Sequence, residues 1–262
     1  MAYEDVFRSI KIKSKIGLPK GVTIKRFDIP LSLEEHEVEN RISKVEKFNQ
    51  PPGLVADRTN AAEATREVVN RDFLLAGNNM TSALCTPEDN GGILLTPDGG
   101  NTDGCLIKPH ATKISSWTDV KWNSGKKLRF STRIRTGASI TKFQVAAGFK
   151  LTDTTVPATD DDQVFFSKTY DETTWQLISS NDGTDTKVNS GVTIAANSDY
   201  ELIIEVGADR VPKFYINDAY VGKTAALKAN TDYIPVIATL SSTGASTTKT
   251  LAIRYLACSR DY

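Results

Sequence analysis

The sequence predicts an all-β protein, an antiparallel two-sheet jelly-roll sandwich preceded by an extended N-terminal arm with one short helix. From about residue 73 onward, roughly twelve segments rich in β-branched and aromatic residues recur at short intervals between Gly, Asn and Asp turns. No helical periodicity follows residue 70. A β region of about 190 residues is too long for one immunoglobulin-type sandwich and is typical of a large jelly roll.

The clearest strands lie in Tyr200–Gly222, which predicts three antiparallel strands in succession. Gly207–Arg210 provides the first turn, and Asn217-Asp218 provides the second. Alternation of side chains along a strand separates a buried face from an exposed one. The predicted buried face of the first strand holds Leu202, Ile204 and Val206, and that of the second holds Phe214 and Ile216.

Residues 1–60 lack the regular pattern of short strands and turns seen later in the chain, and they are predicted to form an arm. A linker over 61–72 joins this arm to a β domain over 73–262. Ser32 and Glu35 form a capping box, which predicts a helix that continues to about Phe48. This arm either straps the chain's own sheet edge or contacts another protein, and its polarity favours the second alternative. The residues predicted to contact a capsid or sibling subunits are Ile10, Ile12, Ile16, Phe27, Val38, Ile42, Val45 and Phe48.

Composition excludes several classes of protein. Lysine plus arginine and aspartate plus glutamate both number 32, and this neutral balance argues against a dedicated nucleic-acid binder. No apolar run is long enough for a membrane span, and the N-terminus lacks the pattern of a signal peptide, so we expect assembly in a cytoplasm. The three cysteines (Cys85, Cys105 and Cys258) and two histidines are too few and too dispersed for a disulfide framework or a zinc site.

The order of features in the last 130 residues is similar to the laminin-G and concanavalin-A-like jelly rolls. The similarity lies in Trp175–Ile178, Ser198–Glu205 and Phe214–Gly222. In that superfamily the corresponding turn is Asn-Gly, whereas this chain has Asp218 in the glycine position.

Residues 71–262 also resemble a group of tailed-bacteriophage virion proteins. The segments that carry this resemblance are Arg71–Asn79, Gly91–Thr96, Lys108–His110, Arg135–Thr141, Gln163–Phe166 and Cys258–Arg260. The resemblance implies a capsid decoration or cement protein without enzymatic activity. It would bind the major capsid protein and sibling subunits, as a homotrimer on the capsid surface of the virion.

Catalysis is not expected from the sequence. Sugar-cleaving concanavalin-A-like proteins carry Glu-x-Asp-x-x-Glu on one strand, and this string is absent. Glu201 and Glu205 share a face, but it is opposite the apolar face, so both are interpreted as solvated. His36 and His110 lack a neighbouring nucleophile motif, so no catalytic residue is predicted.

Two binding sites remain as candidates. The loop Asp160–Asp162 is rich in oxygen ligands of the kind that calcium prefers, although such residues are also common in tight turns. Otherwise no cofactor is expected. Trp117 and Trp122 could stack on sugar rings or could pack in the sandwich core. The alternative to capsid decoration is therefore a glycan-binding module of a phage fibre or head surface that attaches to host glycans.

Overall fold

The computed structural model describes residues 41–49, 51–54, 70–78, 84–97, 104–109, 116–152, 160–241 and 249–261. The chain divides into two units at Arg41, and the described strands belong to the second unit, Ile42–Tyr262, with Arg41 as the first residue of the first strand. Among the described residues, no helix has the length and apolar character needed to cross a membrane.

The described residues form seventeen β-strands. In chain order they are β1 (Arg41–Glu46), β2 (Pro52–Leu54), β3 (Asn70–Asn78), β4 (Cys85–Pro87), β5 (Ile93–Leu95), β6 (Gly104–Pro109), β7 (Trp122–Asn123), β8 (Arg129–Thr136), β9 (Phe143–Lys150), β10 (Gln163–Lys168), β11 (Thr174–Asn181), β12 (Thr184–Thr193), β13 (Asp199–Val206), β14 (Pro212–Ile216), β15 (Ala219–Lys223), β16 (Asp232–Ser241) and β17 (Leu251–Asp261).

Two sheets contain all of these strands. The eight-stranded sheet has the order β15-β14-β13-β8-β17-β5-β4, with β1 also paired to β17. The nine-stranded sheet has the order β12-β11-β10-β9-β16-β6-β3-β2, with β7 also paired to β16. The pairs β13–β14, β13–β8 and β9–β16 are antiparallel, whereas β2 and β3 are parallel. The predicted all-β sandwich of two antiparallel sheets is confirmed.

The core lies between the sheets and is built from the inward side chains of both. Phe130, Ile134 and Leu202 come from the eight-stranded sheet, and Phe149 and Phe166 come from the nine-stranded sheet. Each of these five side chains is 0% exposed, which is the burial that packing of two sheet faces requires.

The predicted hairpins are confirmed. Leu202 pairs with Ile216 and Ile204 with Phe214, so the apolar faces assigned from alternation are the buried ones. Asn217 and Asp218 have φ angles of 50° and 63°, the pair of positive values that a type I′ turn requires. Asp218 therefore occupies a conformation that glycine adopts with less strain.

The helix predicted to extend to about Phe48 is wrong for Arg41–Glu46, which form strand β1. The other residues of that predicted helix lie outside the described residues. β1 pairs with β17 beyond the short strand β5, so sheet pairing outweighs a weak local preference for helix. Strands of the sandwich therefore begin ahead of the boundary predicted at residue 73.

A β-bulge in β17 changes the direction of its side chains. The pairing with β8 shifts between Ile253 and Tyr255, so Arg254 is the extra residue. Without this residue, Tyr255 would point into the core like Ile253. The bulge instead turns Tyr255 to the outer face of the eight-stranded sheet, and the Thr132 hydroxyl holds it there by donating to the Tyr255 carbonyl at 2.6 Å.

Candidate functional site

The residues predicted to contact a capsid are only partly described. Ile42 is half-buried on β1, and Val45 is 39% exposed. Phe48 is 1% exposed and packs edge to face on Phe73, with 5.2 Å between ring centroids. Phe48 therefore belongs to the core and is not available to a partner. The remaining residues of this set, which lie outside the described residues, are Ile10, Ile12, Ile16, Phe27 and Val38.

Both tryptophans predicted as glycan contacts are buried. Trp117 is 3% exposed and Trp122 is 1% exposed, with 5.9 Å between their ring centroids. Trp117 also contacts Phe73, and Trp122 contacts Phe149. Their burial agrees with the second interpretation of the sequence, in which both indoles pack in the sandwich core. Neither ring presents a face to a sugar.

The candidate calcium loop holds lysines beside its carboxylates. Lys150 Nζ lies 3.9 Å from Asp160 Oδ1, and both side chains are 1% exposed. Lys228 Nζ lies 3.7 Å from Asp162 Oδ2, while Asp161 is exposed. The described residues contain no group of three or more His, Cys, Asp or Glu side chains that could hold a metal ion. Lysine ammonium groups thus balance the two buried carboxylates of this loop.

Glu201 and Glu205 lie on the outer face of β13, as their alternation predicts, but they do not act as a pair. Glu201 accepts a hydrogen bond from Tyr255, whereas Glu205 faces Arg129. Each carboxylate is therefore bound by a different side chain, Tyr255 or Arg129, and neither is positioned by the other.

The outer face of the eight-stranded sheet over β8, β13, β14 and β15, together with Tyr255 of β17, is named here the open face. Its cross-strand rows follow from the register: Glu201 pairs with Arg133, and Glu205 pairs with Arg129. Tyr215 pairs with Tyr220 in the neighbouring row. The side chains that form the open face are Arg129, Ser131, Arg133, Arg135, Asp199, Glu201, Ile203, Glu205, Lys213, Tyr215, Tyr220, Lys223 and Tyr255.

A hydrogen-bonded chain crosses the open face from β17 to β13. The Tyr255 hydroxyl donates to Glu201 Oε1 at 2.7 Å, so the Ser131 hydroxyl, 2.9 Å away, donates to Tyr255. Burial of the phenol raises the pKa of Tyr255, and the adjacent Glu201 carboxylate raises it further. Tyr255 is therefore a neutral donor at physiological pH and keeps the Glu201 carboxylate in one orientation.

Arginines of β8 bind the carboxylates of β13. Arg129 is buried, with its Nη1 lying 3.2 Å from Glu205 Oε1. Arg133 Nε and Arg135 Nη1 share the single carboxylate of Asp199, at 3.7 Å and 3.0 Å. One carboxylate cannot neutralise two guanidinium groups. The side chain of Arg133 is 55% exposed, and its terminal nitrogens have no partner among the described residues.

Two tyrosines form the aromatic part of the open face. Tyr215 and Tyr220 meet at an interplanar angle of 67°, with 5.6 Å between ring centroids. Tyr220 is 55% exposed, the largest exposed fraction of any aromatic residue among those described. Burial raises the pKa of Tyr215, and Glu205 adds to this effect. The edge-to-face contact holds Tyr220 with a ring surface open to solvent.

The outer face of the nine-stranded sheet has a different character. A second apolar cluster occupies it, and its larger members are Leu106, Phe165, Ile178 and Val236. All four are at most 5% exposed. The open face, by contrast, carries the exposed ring of Tyr220 and the exposed side chain of Arg133.

The open face was missed as a site by sequence reasoning. Alternation along β14 separates Lys213 and Tyr215 from the apolar positions, which identifies an exposed face and nothing about its partners. Tyr255 could not be placed there because the bulge at Arg254 reverses the direction that alternation gives. A count of aromatic and charged residues on one exposed face would have been the available signal.

No protein-family model matches this sequence, and no curated protein matches it. Solved structures do match. The β-glucanase of Bacillus licheniformis superposes with a TM-score of 0.54 at 12% identity, covering 82% of this chain and 97% of the other. A protein of unknown function from Shewanella oneidensis MR-1 gives a TM-score of 0.56 at 11% identity, covering 91% and 97%. Alginate lyase A1-II′, of polysaccharide lyase family 7, gives 0.51 at 13% identity, covering 70% and 86%.

These matches confirm the jelly-roll fold and correct one expectation. The expectation that the protein is not an enzyme is contradicted, because the fold is shared with a β-glucanase and an alginate lyase. None of the three structures is described as a virion protein. The capsid partner, the homotrimer, the absence of nucleic-acid and membrane partners, and the location on a virion stay predictions.

Proposed function

We propose that this protein binds glycans and that the open face is its binding surface. Glycan binding is the alternative to capsid decoration that the sequence predicts. The observation that carries it is the exposed ring of Tyr220, held by Tyr215 next to a row of hydrogen-bonding side chains. The jelly-roll fold shared with two polysaccharide-cleaving enzymes supports the same class of ligand.

The chemistry of a sugar matches this arrangement. One side of a pyranose ring is lined with C–H groups, which pack on an aromatic ring, while its hydroxyls need donors and acceptors at the rim. Tyr220 offers the ring, Arg133 offers donors and Glu201 offers an acceptor. All three lie on paired strands of one sheet, so little ordering is needed when a ligand binds.

The test is binding to a glycan array, followed by titration of the glycans that bind. Tyr220→Ala should weaken binding at least tenfold, which corresponds to about 1.4 kcal/mol. Tyr170→Ala is a matched control, because Tyr170 lies in the turn between β10 and β11 on the other sheet. Denaturation curves of both variants verify that each is folded. Absence of binding to every glycan, or full binding by Tyr220→Ala, would contradict the proposal.

A further inference from the structure

The charges on the open face are unbalanced. It carries five cations (Arg129, Arg133, Arg135, Lys213 and Lys223) and three carboxylates (Asp199, Glu201 and Glu205), which leaves an excess of two positive charges. The excess is local, since the whole chain has a formal net charge of zero.

Lys213 and Lys223 are two of the three cations on the open face that lack an ion-pair partner of their own among the described residues. They are cross-strand partners on β14 and β15, and both are exposed. Neither forms an ion pair with any described residue. Like charges directly opposite each other repel across a sheet pair. Glu205 lies opposite Lys213 on β13, but it forms its ion pair with Arg129. A bound anion would remove the repulsion.

Arg133, which lies opposite Glu201 of β13, is the third of these cations. It shares Asp199 with Arg135, and its Nε–Oδ1 distance of 3.7 Å is the longer of the two contacts. The planar end of a guanidinium with free nitrogens is suited to bidentate binding of a carboxylate.

The two cationic positions lie on either side of the tyrosine pair. Lys213 precedes Tyr215 by two residues, which is about 7 Å along the strand. Arg133 is on β8, two strands away from β14, which is about 10 Å across the sheet. Arg133 and Lys213 also differ by four residues along the strands, which is about 13 Å. An extended polymer lying over Tyr220 can therefore reach both with groups on separate, non-adjacent sugar units.

We propose, on the basis of the glycan-binding function, that the preferred ligand is an acidic polysaccharide whose carboxylates bind Arg133 and the Lys213–Lys223 pair. The sugar rings pack on Tyr220. Neutral glycans lack the groups that would balance the excess charge, so they bind more weakly.

The experiment compares polygalacturonate with its fully methyl-esterified form, which keeps the sugar chain and removes the charge. Titrations with the wild-type protein should show that polygalacturonate binds and that the esterified polymer binds at least tenfold more weakly. The affinity for polygalacturonate should fall as salt is added, because exposed charges are screened. The double variant Lys213→Gln/Lys223→Gln should bind polygalacturonate about fivefold more weakly.

A charge-matched control separates specific from general effects. Lys47→Gln/Lys121→Gln removes two exposed lysines that lie outside the open face and should leave the affinity unchanged. Dextran sulfate tests binding of any polyanion. If it binds as tightly as polygalacturonate and Tyr220→Ala has no effect, the proposal of a carboxylate-specific site is overturned.

The remaining outcomes distinguish this inference from the function on which it rests. Equal binding of polygalacturonate and its ester overturns the acidic preference but leaves glycan binding in place. Binding of a neutral β-glucan but not of polygalacturonate also overturns the acidic preference and leaves glycan binding in place. Absence of binding to these polymers overturns the acidic preference, and absence of binding to every glycan of the array as well overturns both proposals.

Discussion

The hydroxyl of Tyr255 donates a hydrogen bond to the carboxylate of Glu201 across the width of β8, with 2.7 Å between Oη and Oε1. The two residues lie on β17 and β13, which are not neighbours in the sheet. Ser131 of the intervening strand donates to the same phenol oxygen, at 2.9 Å. Three strands are thus linked by side chains in addition to their backbone ladder.

The first prediction concerns this link. Tyr255→Phe removes a half-buried donor and leaves the Glu201 carboxylate without its charged hydrogen bond, so the free energy of unfolding should fall by about 1.5–3 kcal/mol. Urea denaturation measures the change. Tyr220→Phe is the control and should change stability by less than about 0.5 kcal/mol, because its hydroxyl is exposed. Equal effects of the two substitutions would argue against a stabilising role for the link.

The second prediction concerns the turn between β4 and β5. Gly91 and Gly92 have nearly the same backbone angle, with φ of 87° and 90°. A Cβ on Gly91 would meet open space, whereas a Cβ on Gly92 would lie 2.1 Å from the carbonyl oxygen of Ile253. Gly91→Ala should therefore cost about 1–2 kcal/mol, the penalty of the left-handed conformation alone.

Gly92→Ala should cost more than Gly91→Ala, because the backbone of β17 must also move. Thermal denaturation of both variants gives the difference directly. The comparison isolates the close approach of two backbones from the conformational strain that the two glycines share. If the two variants have the same melting temperature, β17 can shift away from residue 92 without loss of stability.

The third prediction concerns pH. Burial lowers the pKa of Lys168 to about 8, although Glu172 opposes this effect. An unfolded lysine has a pKa of about 10.4, so between these values the unfolded chain binds more protons than the folded one. The contribution of Lys168 to stability is therefore lowest below pH 8 and rises as the pH increases toward 10.4.

Lys168→Met removes this titration. Denaturant midpoints measured from pH 7 to pH 10 should rise less steeply with pH for the variant than for the wild-type protein. The variant also loses donors to the carbonyls of Phe143 and Thr169, so its stability at a single pH is not diagnostic. Parallel curves for the two proteins would show that Lys168 keeps an ordinary pKa.

The fourth prediction concerns the turn from β14 to β15. Asp218 adopts a φ of 63°, a conformation in which glycine is less strained. Asp218→Gly should raise the free energy of unfolding by about 0.5–1 kcal/mol, because Asn-Gly is the preferred pair in a type I′ turn. Asp218→Ala, with the same φ and no polar side chain, should be destabilising. A loss of stability in the glycine variant would mean that the aspartate side chain has a role of its own.

The open face shows how far a sequence predicts structure. Alternation assigns Glu201 and Glu205 to the exposed side of β13 and Leu202 to the core, and the structure agrees. This works because a strand places side chains on two faces by geometry alone. It does not reveal partners: the contact of Glu201 with Tyr255 depends on a strand order that no local pattern contains.

Two further differences have physical causes of the same kind. Arg41–Glu46 becomes a strand because β17 offers an unpaired side, a feature of the sheet and not of the segment. Trp117 precedes β7 and Trp122 begins it, both with polar neighbours in the sequence, yet Phe73 and Phe149 contact their rings. Long-range packing decides both cases.

The position of β17 has a consequence for biosynthesis. β17 follows every other described strand in the chain, yet it lies between β8 and β5 inside the eight-stranded sheet. Residues up to Asp261 must therefore emerge from the ribosome before β17 can pair fully with the edge of β8 that faces away from β13. Until then the nascent protein exposes an unsatisfied strand beside an unfinished core, the kind of surface that chaperones shield from aggregation.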